Sequence, residues 1–331
     1  MKKVTLFIKN ARQLLTLASD KKGPRRGKEM EDLGLIEDGA VVVTGKKIIA
    51  VGKTKDVLSQ IKIDKKVKII NAEDRVVLPG FVDCHTHPVF GATREEEFEL
   101  RIKGKSYEEI AQAGGGIRSS VRSLRQLSRE ELVKLALLRL DRFLSYGTTT
   151  IEAKSGYGLS LKDEIKILEV IKKLNQIHPL DLVPTFLGAH EIPDEYRERR
   201  EEYIDLLVKQ MIPEVAKRKL AYFCDVFCEK GVFSLDESRK ILETAKSYGL
   251  KPKLHADQLT PFGGAELSAE VSAVSADHLE FISDSGIDRM KESGTIAVLL
   301  PGSVFGLGKE NYPPARKMID KGLPVALATD F

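Results

Sequence analysis

The sequence predicts an α/β fold: a (β/α)8 TIM-type barrel preceded by a small N-terminal β domain. Three observations carry this expectation. From Leu78 onward short apolar runs alternate with amphipathic helical stretches, eight such runs can be counted, and five of the six histidines fall where a run gives out. Apolar strands that alternate with helices form a parallel sheet covered on both faces. Eight of them suit a barrel whose C-terminal rim carries the chemistry.

Residues 1–77 read as short strands and turns, a small β-sandwich-like domain. "VTLFIKNA", "GAVVVTGKKIIAVGK" and "VKIINAEDRVVLPG" are β-rich, and Gly45-Lys46 is placed for a tight hairpin turn. The barrel occupies 78–331, with strand runs "GFVDCH", "GTTTIEAKSG", "LDLVPTFLGAH", "AYFCDVFCE", "KPKLHADQ", "VSADHLE", "GTIAVLLPGS" and "LPVALATDF". Two intervening helices announce their starts. Ser128-x-x-Glu131 and Ser234-x-x-Glu237 are capping boxes, and both helices stop at a glycine.

The bulk numbers narrow the function. The chain has 331 residues, 42% hydrophobic and 31% charged, an ordinary globular composition. Its 53 basic and 49 acidic residues nearly cancel, so no nucleic-acid footprint is evident. The basic run "KKGPRRGK" reads as a solvated loop. Three cysteines suggest no disulfide framework; strand alternation turns Cys84 away from the neighbouring histidines, and Cys224 and Cys228 read as buried strand residues. The apolar core of the N-terminal stretch is too short for a signal peptide, and no run approaches a membrane span. A cytoplasmic protein without membrane or nucleic-acid partners is expected.

In "LPGFVDCHTHPVFG", His85 and His87 leave the first barrel strand on one side, because residues i and i+2 of a strand share a face. His190 follows the third strand, His255 the fifth and His278 the sixth, and Asp330 ends the eighth. An isolated strand-end histidine is more often structural than catalytic. Convergence of several on one rim reverses that balance. Three imidazoles and a carboxylate form a borderline-soft donor set that zinc or iron accepts. His178, in "NQIHPL", reads instead as a helix-ending surface residue.

"LPGFVDCHTHPVF", "KLHADQ", "SADHLE" and "ALATDF" together resemble the amidohydrolase superfamily. Within it, "PRRGKEMEDLGLIEDGA", "FGATREEEFELRIKGKSYEEIAQAGGGI", "TTTIEAKSGYGL" and "PTFLGAHEIPDEY" resemble the imidazolonepropionases of histidine degradation, over most of the chain. The resemblance implies one divalent metal per subunit, zinc or iron, held by His85, His87, His255 and Asp330. It places substrate contacts at Arg94, Tyr157, His190 and Gln258. It implies hydrolysis of the cyclic amide of 4-imidazolone-5-propanoate to N-formimidoyl-L-glutamate by metal-activated hydroxide, commonly in a homodimer. His278 and Asp330 are the candidates for moving protons to the leaving nitrogen.

The residues bear on the same assignments. Arg94 offers a planar guanidinium able to hold the carboxylate of a small anionic substrate through two hydrogen bonds. Tyr107 is a weaker substrate candidate, and "AGGGI" reads as a flexible rim loop, since no Lys-Ser/Thr follows it as in a phosphate-binding loop. Some relatives carry Glu where this chain has Gln258; an amide cannot act as a base, so Gln258 is expected only to orient groups. Binuclear members of the superfamily use a Lys on strand four. Here that strand holds none before Lys230, which favours one metal. Two other readings stand beside this one: a different cyclic amidohydrolase or deaminase, and a non-catalytic assembly protein, which would have lost metal ligands. The chain stops at "ATDF", where the family continues with a loop, the last barrel helix and strands completing the β domain. As given it is expected to be an inactive fragment.

Overall fold

The computed structural model describes residues 4–105, 109–110 and 114–331. It divides into two compact units, Met1–Gly80 and Phe81–Phe331.

The first unit is built on a five-stranded sheet: β1 (Leu6–Leu15), β2 (Leu35–Thr44), β3 (Lys47–Lys53), β4 (Lys68–Asn71) and β5 (Val76–Val77). The order is β3-β2-β1-β4, with β5 also beside β1. β2 and β3 form a hairpin in which Thr44 faces Lys47, leaving Gly45-Lys46 as the two-residue turn. Gly45 takes φ 60°, the left-handed conformation such a turn needs and glycine adopts at no cost. β1 is interrupted by a register shift between Ile8 and Ala11, where Asn10 sits at φ 56° and donates its N–H to Thr54 Oγ1 at 2.9 Å. The irregularity lets one strand serve two apolar clusters. Phe7 packs with Ala40, Val42 and Val57, whereas Ala11 and Leu14 pack with Val41 and Ala72.

The second unit contains eight parallel strands: β6 (Phe81–Asp83), β7 (Thr148–Lys154), β8 (Asp181–Ala189), β9 (Phe223–Cys228), β10 (Lys251–Ala256), β11 (Ser275–His278), β12 (Ile296–Leu299) and β13 (Val325–Leu327). Each pairs with its successor in sequence, in the unbroken order of a (β/α)8 barrel, and all eight apolar runs become strands. Helices stand between most of them and bury a stripe against the sheet. In the helix Arg129–Ser145 the buried residues are Leu132, Ala136, Leu140 and Phe143, spaced by three or four. Its capping box is complete: Ser128 N–H donates to Glu131 Oε2 at 2.8 Å, and Glu131 N–H donates to Ser128 Oγ at 3.2 Å. Ser234 and Glu237 repeat it ahead of Leu235–Ser247. Gly147 and Gly249, both in left-handed conformation, follow the two helices.

The seam between β13 and β6 is joined by residues just past β13. Asp330 N–H donates to His85 O at 3.1 Å and His87 N–H to Phe331 O at 2.6 Å. Thr329 N–H and Oγ1 donate to the two oxygens of Asp83, at 3.2 and 2.6 Å.

One expectation fails. His178 does cap the C-terminus of the helix Leu161–Ile177, but its side chain is only 5% exposed rather than a surface group. Its Nδ1 accepts Leu180 N–H at 3.2 Å and its Nε2 lies 3.3 Å from Asp141, which folds the ring into the turn. Cys224 and Cys228 are buried in β9 as expected. Among the described residues no helix is long and apolar enough to cross a membrane.

The caps give a direct test. Ser128→Ala and Ser234→Ala should each lower stability by about 0.5–2 kcal/mol, read as a shift in the urea midpoint at constant slope. Unchanged midpoints would show that these helices hold their first turns without the boxes.

Candidate metal centre and active site

The strand ends place five histidines around one mouth. His85 and His87 follow β6, His190 follows β8, His255 lies in the last turn of β10, and His278 ends β11. All five are buried. The His85 and His255 rings are 4.4 Å apart between centroids, His255 and His278 are 5.2 Å apart, and His87 stacks on His190 at 5.2 Å. Asp330 reaches the same point at φ 59°, and His278 sits at φ 81°, both unusual for residues with side chains. Donor atoms of His85, His87 and His255 lie within 4.8 Å of one another, as do those of His85, His278 and Asp330. His178 lies apart from this group.

The hydrogen-bond pattern says what the cluster lacks. His85 Nδ1–H donates to Asp277 Oδ2 at 2.6 Å, so its Nε2 carries a lone pair. That nitrogen faces Asp330 Oδ1 at 3.3 Å, and His87 Nε2 is 3.6 Å from the same oxygen. His85 Nε2, His87 Nδ1, His278 Nδ1 and His255 Nε2 are buried with no hydrogen-bond partner, while His255 Nδ1 faces Asp225 Oδ2 at 3.1 Å. Imidazole lone pairs and a carboxylate converging on one point call for a cation.

The protonation states agree. Burial, followed by the neighbouring imidazoles, pushes His87 and His255 well below the ordinary histidine range, and burial takes His190 down to about 4. These rings are therefore neutral near pH 7, as metal binding requires. Burial and Lys154 also pull His85 down, but its bonds to Asp277 and Asp330 win and raise it. In the absence of a metal, a proton on His85 would bridge the same atoms. Burial works against an ionised Asp330, yet His85, His278 and His87 hold it well below the usual carboxylate range.

Beneath the rim lies an ion network that the sequence reading did not single out. Lys154 Nζ lies 2.5 Å from Asp225 Oδ2, 3.0 Å from Glu152 Oε2 and 3.5 Å from Asp277 Oδ2. Lys253 Nζ lies 2.8 Å from Glu152 Oε2 and donates to Cys84 O at 3.1 Å. All five side chains are buried. Burial disfavours a charged Lys154, but Asp225, Glu152 and Asp277 outweigh it and raise its pKa. A signal was available: Glu152 and Lys154, and Lys253 and His255, are two apart on one strand and so share its inward face. Three carboxylates against two ammonium groups leave one buried negative charge, and Asp330 adds a second. A divalent cation at the rim would bring the sum to zero. The donor set and the charge both fit such an ion.

A cavity of about 290 Å³ opens above the cluster. His87, His190, His255, His278 and Asp330 form part of its wall, and Arg94, Tyr157 and Gln258 also line it. His85 lies beneath, fully buried. Tyr157 is fixed by its loop: the buried Glu164 carboxylate accepts N–H groups from Gly156, Gly158 and Leu159 at 3.1, 2.7 and 2.9 Å. Gly156, at φ 107°, allows His190 Nδ1 to approach its carbonyl at 3.0 Å; a Cβ there would sit 2.9 Å from that nitrogen. Arg94 precedes the helix Glu95–Ile102 and is only loosely paired with Glu97, at 3.7 Å. Phe98 and Arg101 line the cavity as well, and Arg101 Nε is buried without a hydrogen bond. Neither was expected, although positions 94, 98 and 101 share one helical face by their spacing. Tyr107, and Ala113 of the "AGGGI" segment, lie outside the described residues.

Among the described residues the interior of β9 carries Asp225 and no lysine. Lys154 and Lys253 reach the barrel interior from β7 and β10, already paired with carboxylates.

No family model matches the chain. Curated relatives do. It is 49% identical over 328 residues to the imidazolonepropionase of Alkaliphilus oremlandii, covering 99% of this chain and 77% of the relative. It is 53% identical over 322 residues to that of Solibacter usitatus, covering 97% and 76%, and 49% identical over 327 residues to that of Geobacillus kaustophilus, covering 98% and 77%. Among solved structures, E. coli guanine deaminase superposes with a TM-score of 0.69 at 14% identity, over 98% of this chain and 74% of that one. The 5-methylcytosine deaminase from Klebsiella pneumoniae gives 0.68 at 15%, over 98% and 74%. At such identities these two speak for the fold alone.

Proposed function

Since the chain belongs to the imidazolonepropionase family, we propose that its rim cavity is where the cyclic amide of 4-imidazolone-5-propanoate is hydrolysed to N-formimidoyl-L-glutamate, in histidine degradation. The observation that carries the reading is one cavity lined by two chemically distinct sets of groups. Unpartnered imidazole nitrogens and a carboxylate share its wall with two guanidinium groups.

His85, His87, His255 and Asp330 would hold one divalent cation, zinc or iron. When bound, it supplies Lewis acidity, which makes hydroxide available near neutral pH and polarises a carbonyl. The protein's side chains do the rest. Arg94 takes the propionate carboxylate and thereby fixes the ring over the rim; Arg101, on the same helical face, adds a second positive charge. Tyr157 and His190 wall the ring, and the Gln258 amide orients it without exchanging a proton. Water adds to the ring carbonyl carbon, and Asp330 accepts the proton that the water loses. His278 delivers a proton to the ring nitrogen as the carbon–nitrogen bond breaks. A different cyclic amide or an aminated base fits the same fold, and a substrate panel separates these from imidazolone propionate.

Two measurements test the assignment. Metal analysis should find about one equivalent per chain, lost in a His85→Ala/His87→Ala double variant; two equivalents, or full retention in that variant, would overturn the ligand set. In the chain extended to the length of its relatives, Arg94→Ala should lower kcat/KM for imidazolone propionate by about 10- to 100-fold, the equivalent of one charge-assisted hydrogen bond, with metal content unchanged. Undiminished turnover would move the anchor to Arg101 or elsewhere.

A further inference from the structure

Lys154 is completely buried, and of the three carboxylates around its ammonium two also face a rim histidine. Asp225 Oδ2, 2.5 Å from Lys154 Nζ, is also 3.1 Å from His255 Nδ1. Asp277 Oδ2, 3.5 Å from Lys154 Nζ, is also the acceptor for His85 Nδ1–H at 2.6 Å. One cation from β7 thus stands behind two imidazoles from different strands, β6 and β10. A compact ammonium can serve both oxygens from a single point, where a planar guanidinium could not take the same position.

We infer that Lys154 is a positioning residue of the rim centre: through Asp225 and Asp277 it sets the orientation and spacing of His255 and His85. The inference rests on the metal-centre reading above. Three features separate it from an ordinary core ion pair. Asp225 Oδ1 has no hydrogen-bond partner, so among the described residues Asp225 is engaged only through the oxygen that Lys154 and His255 share. Buried ion networks are often no more stable than apolar packing of the same volume, so stability alone is a weak reason for five charges inside a barrel. Lys253 also lies 3.5 Å from Asp277 Oδ2, but its closer partners are Glu152 at 2.8 Å and Cys84 O at 3.1 Å, and of the two lysines Lys154 alone pairs with Asp225.

Carboxylates that orient metal-binding imidazoles typically control metal affinity by 10- to 100-fold, and Lys154 would act through two of them at once. The test uses the purified, metal-stripped chain and its Lys154→Met variant. Zinc affinity is measured by competition with a chromophoric chelator, the visible spectrum of the cobalt-loaded form reports ligand geometry, and thermal unfolding is followed without metal. The expected result is a 10- to 100-fold loss of zinc affinity and an altered cobalt spectrum. A core ion pair would move the unfolding temperature and leave affinity and spectrum alone. Lys154→Met leaves Asp225 and Asp277 less compensated and can fail to fold. Lys154→Arg keeps the buried positive charge with Asp225 and Asp277 in place and is read in that case; because a planar guanidinium cannot take the ammonium's position between the two oxygens, the same loss and altered spectrum are expected. Affinity within twofold of the parent and an unchanged cobalt spectrum in the folded variant would overturn the inference. A parent chain that takes up neither metal would instead overturn the metal-centre reading, and this inference with it.

Discussion

The seam between the first and last barrel strands is the constraint on which the rest depends. Asp330 N–H bonding to His85 O, and His87 N–H to Phe331 O, bring together residues some 245 positions apart. That pairing puts Asp330 Oδ1 3.3 Å from His85 Nε2 and 3.6 Å from His87 Nε2. Asp83 secures the seam through both hydrogens offered by Thr329. Barrel closure and assembly of the rim cluster are thus one event, and a change that opens the seam should separate the donors before it disturbs the rest of the sheet.

Under this cluster the barrel interior carries charge where most interiors carry aliphatic side chains. Isolated buried charges are expensive, and the network reduces the cost by pairing. It does not cancel: one negative charge remains beneath the rim and another sits at Asp330. His87 and His255 cannot supply the balance, because burial holds them neutral near pH 7, and a proton on His85 would offset only one of the two charges. A divalent ion at the rim accounts for the orphaned nitrogens and the charge together. On the cavity wall, Arg94 is 3.7 Å from Glu97 and Arg101 Nε has no hydrogen-bond partner among the described residues.

Much of this was legible in the sequence, for a physical reason. Apolar runs and capping boxes are local, and they located the eight strands and the two helices opening at Ser128 and Ser234. Histidines at strand ends converge once the barrel is assumed, so the rim could be read before any coordinates. The ion network escaped because its members are spread over β7, β9, β10 and β11, with at most two of them on any one strand. Only the closed barrel turns them toward one another. Arg101 escaped for a different reason: on a charged helix start its i+7 relation to Arg94 looks like a solvated face. His178 misled because helix-terminal position suggested exposure, whereas its ring nitrogens fold it into the turn.

The central claim is that one divalent cation sits among His85, His87, His255 and Asp330, and the most direct measurement is anomalous diffraction from crystals of the metal-loaded protein. A single peak is expected, within bonding distance of His85 Nε2, of an Asp330 oxygen and of nitrogens from His87 and His255. A peak bound instead among His85, Glu152 and Asp277, or two peaks bridged by Lys154, would contradict the account.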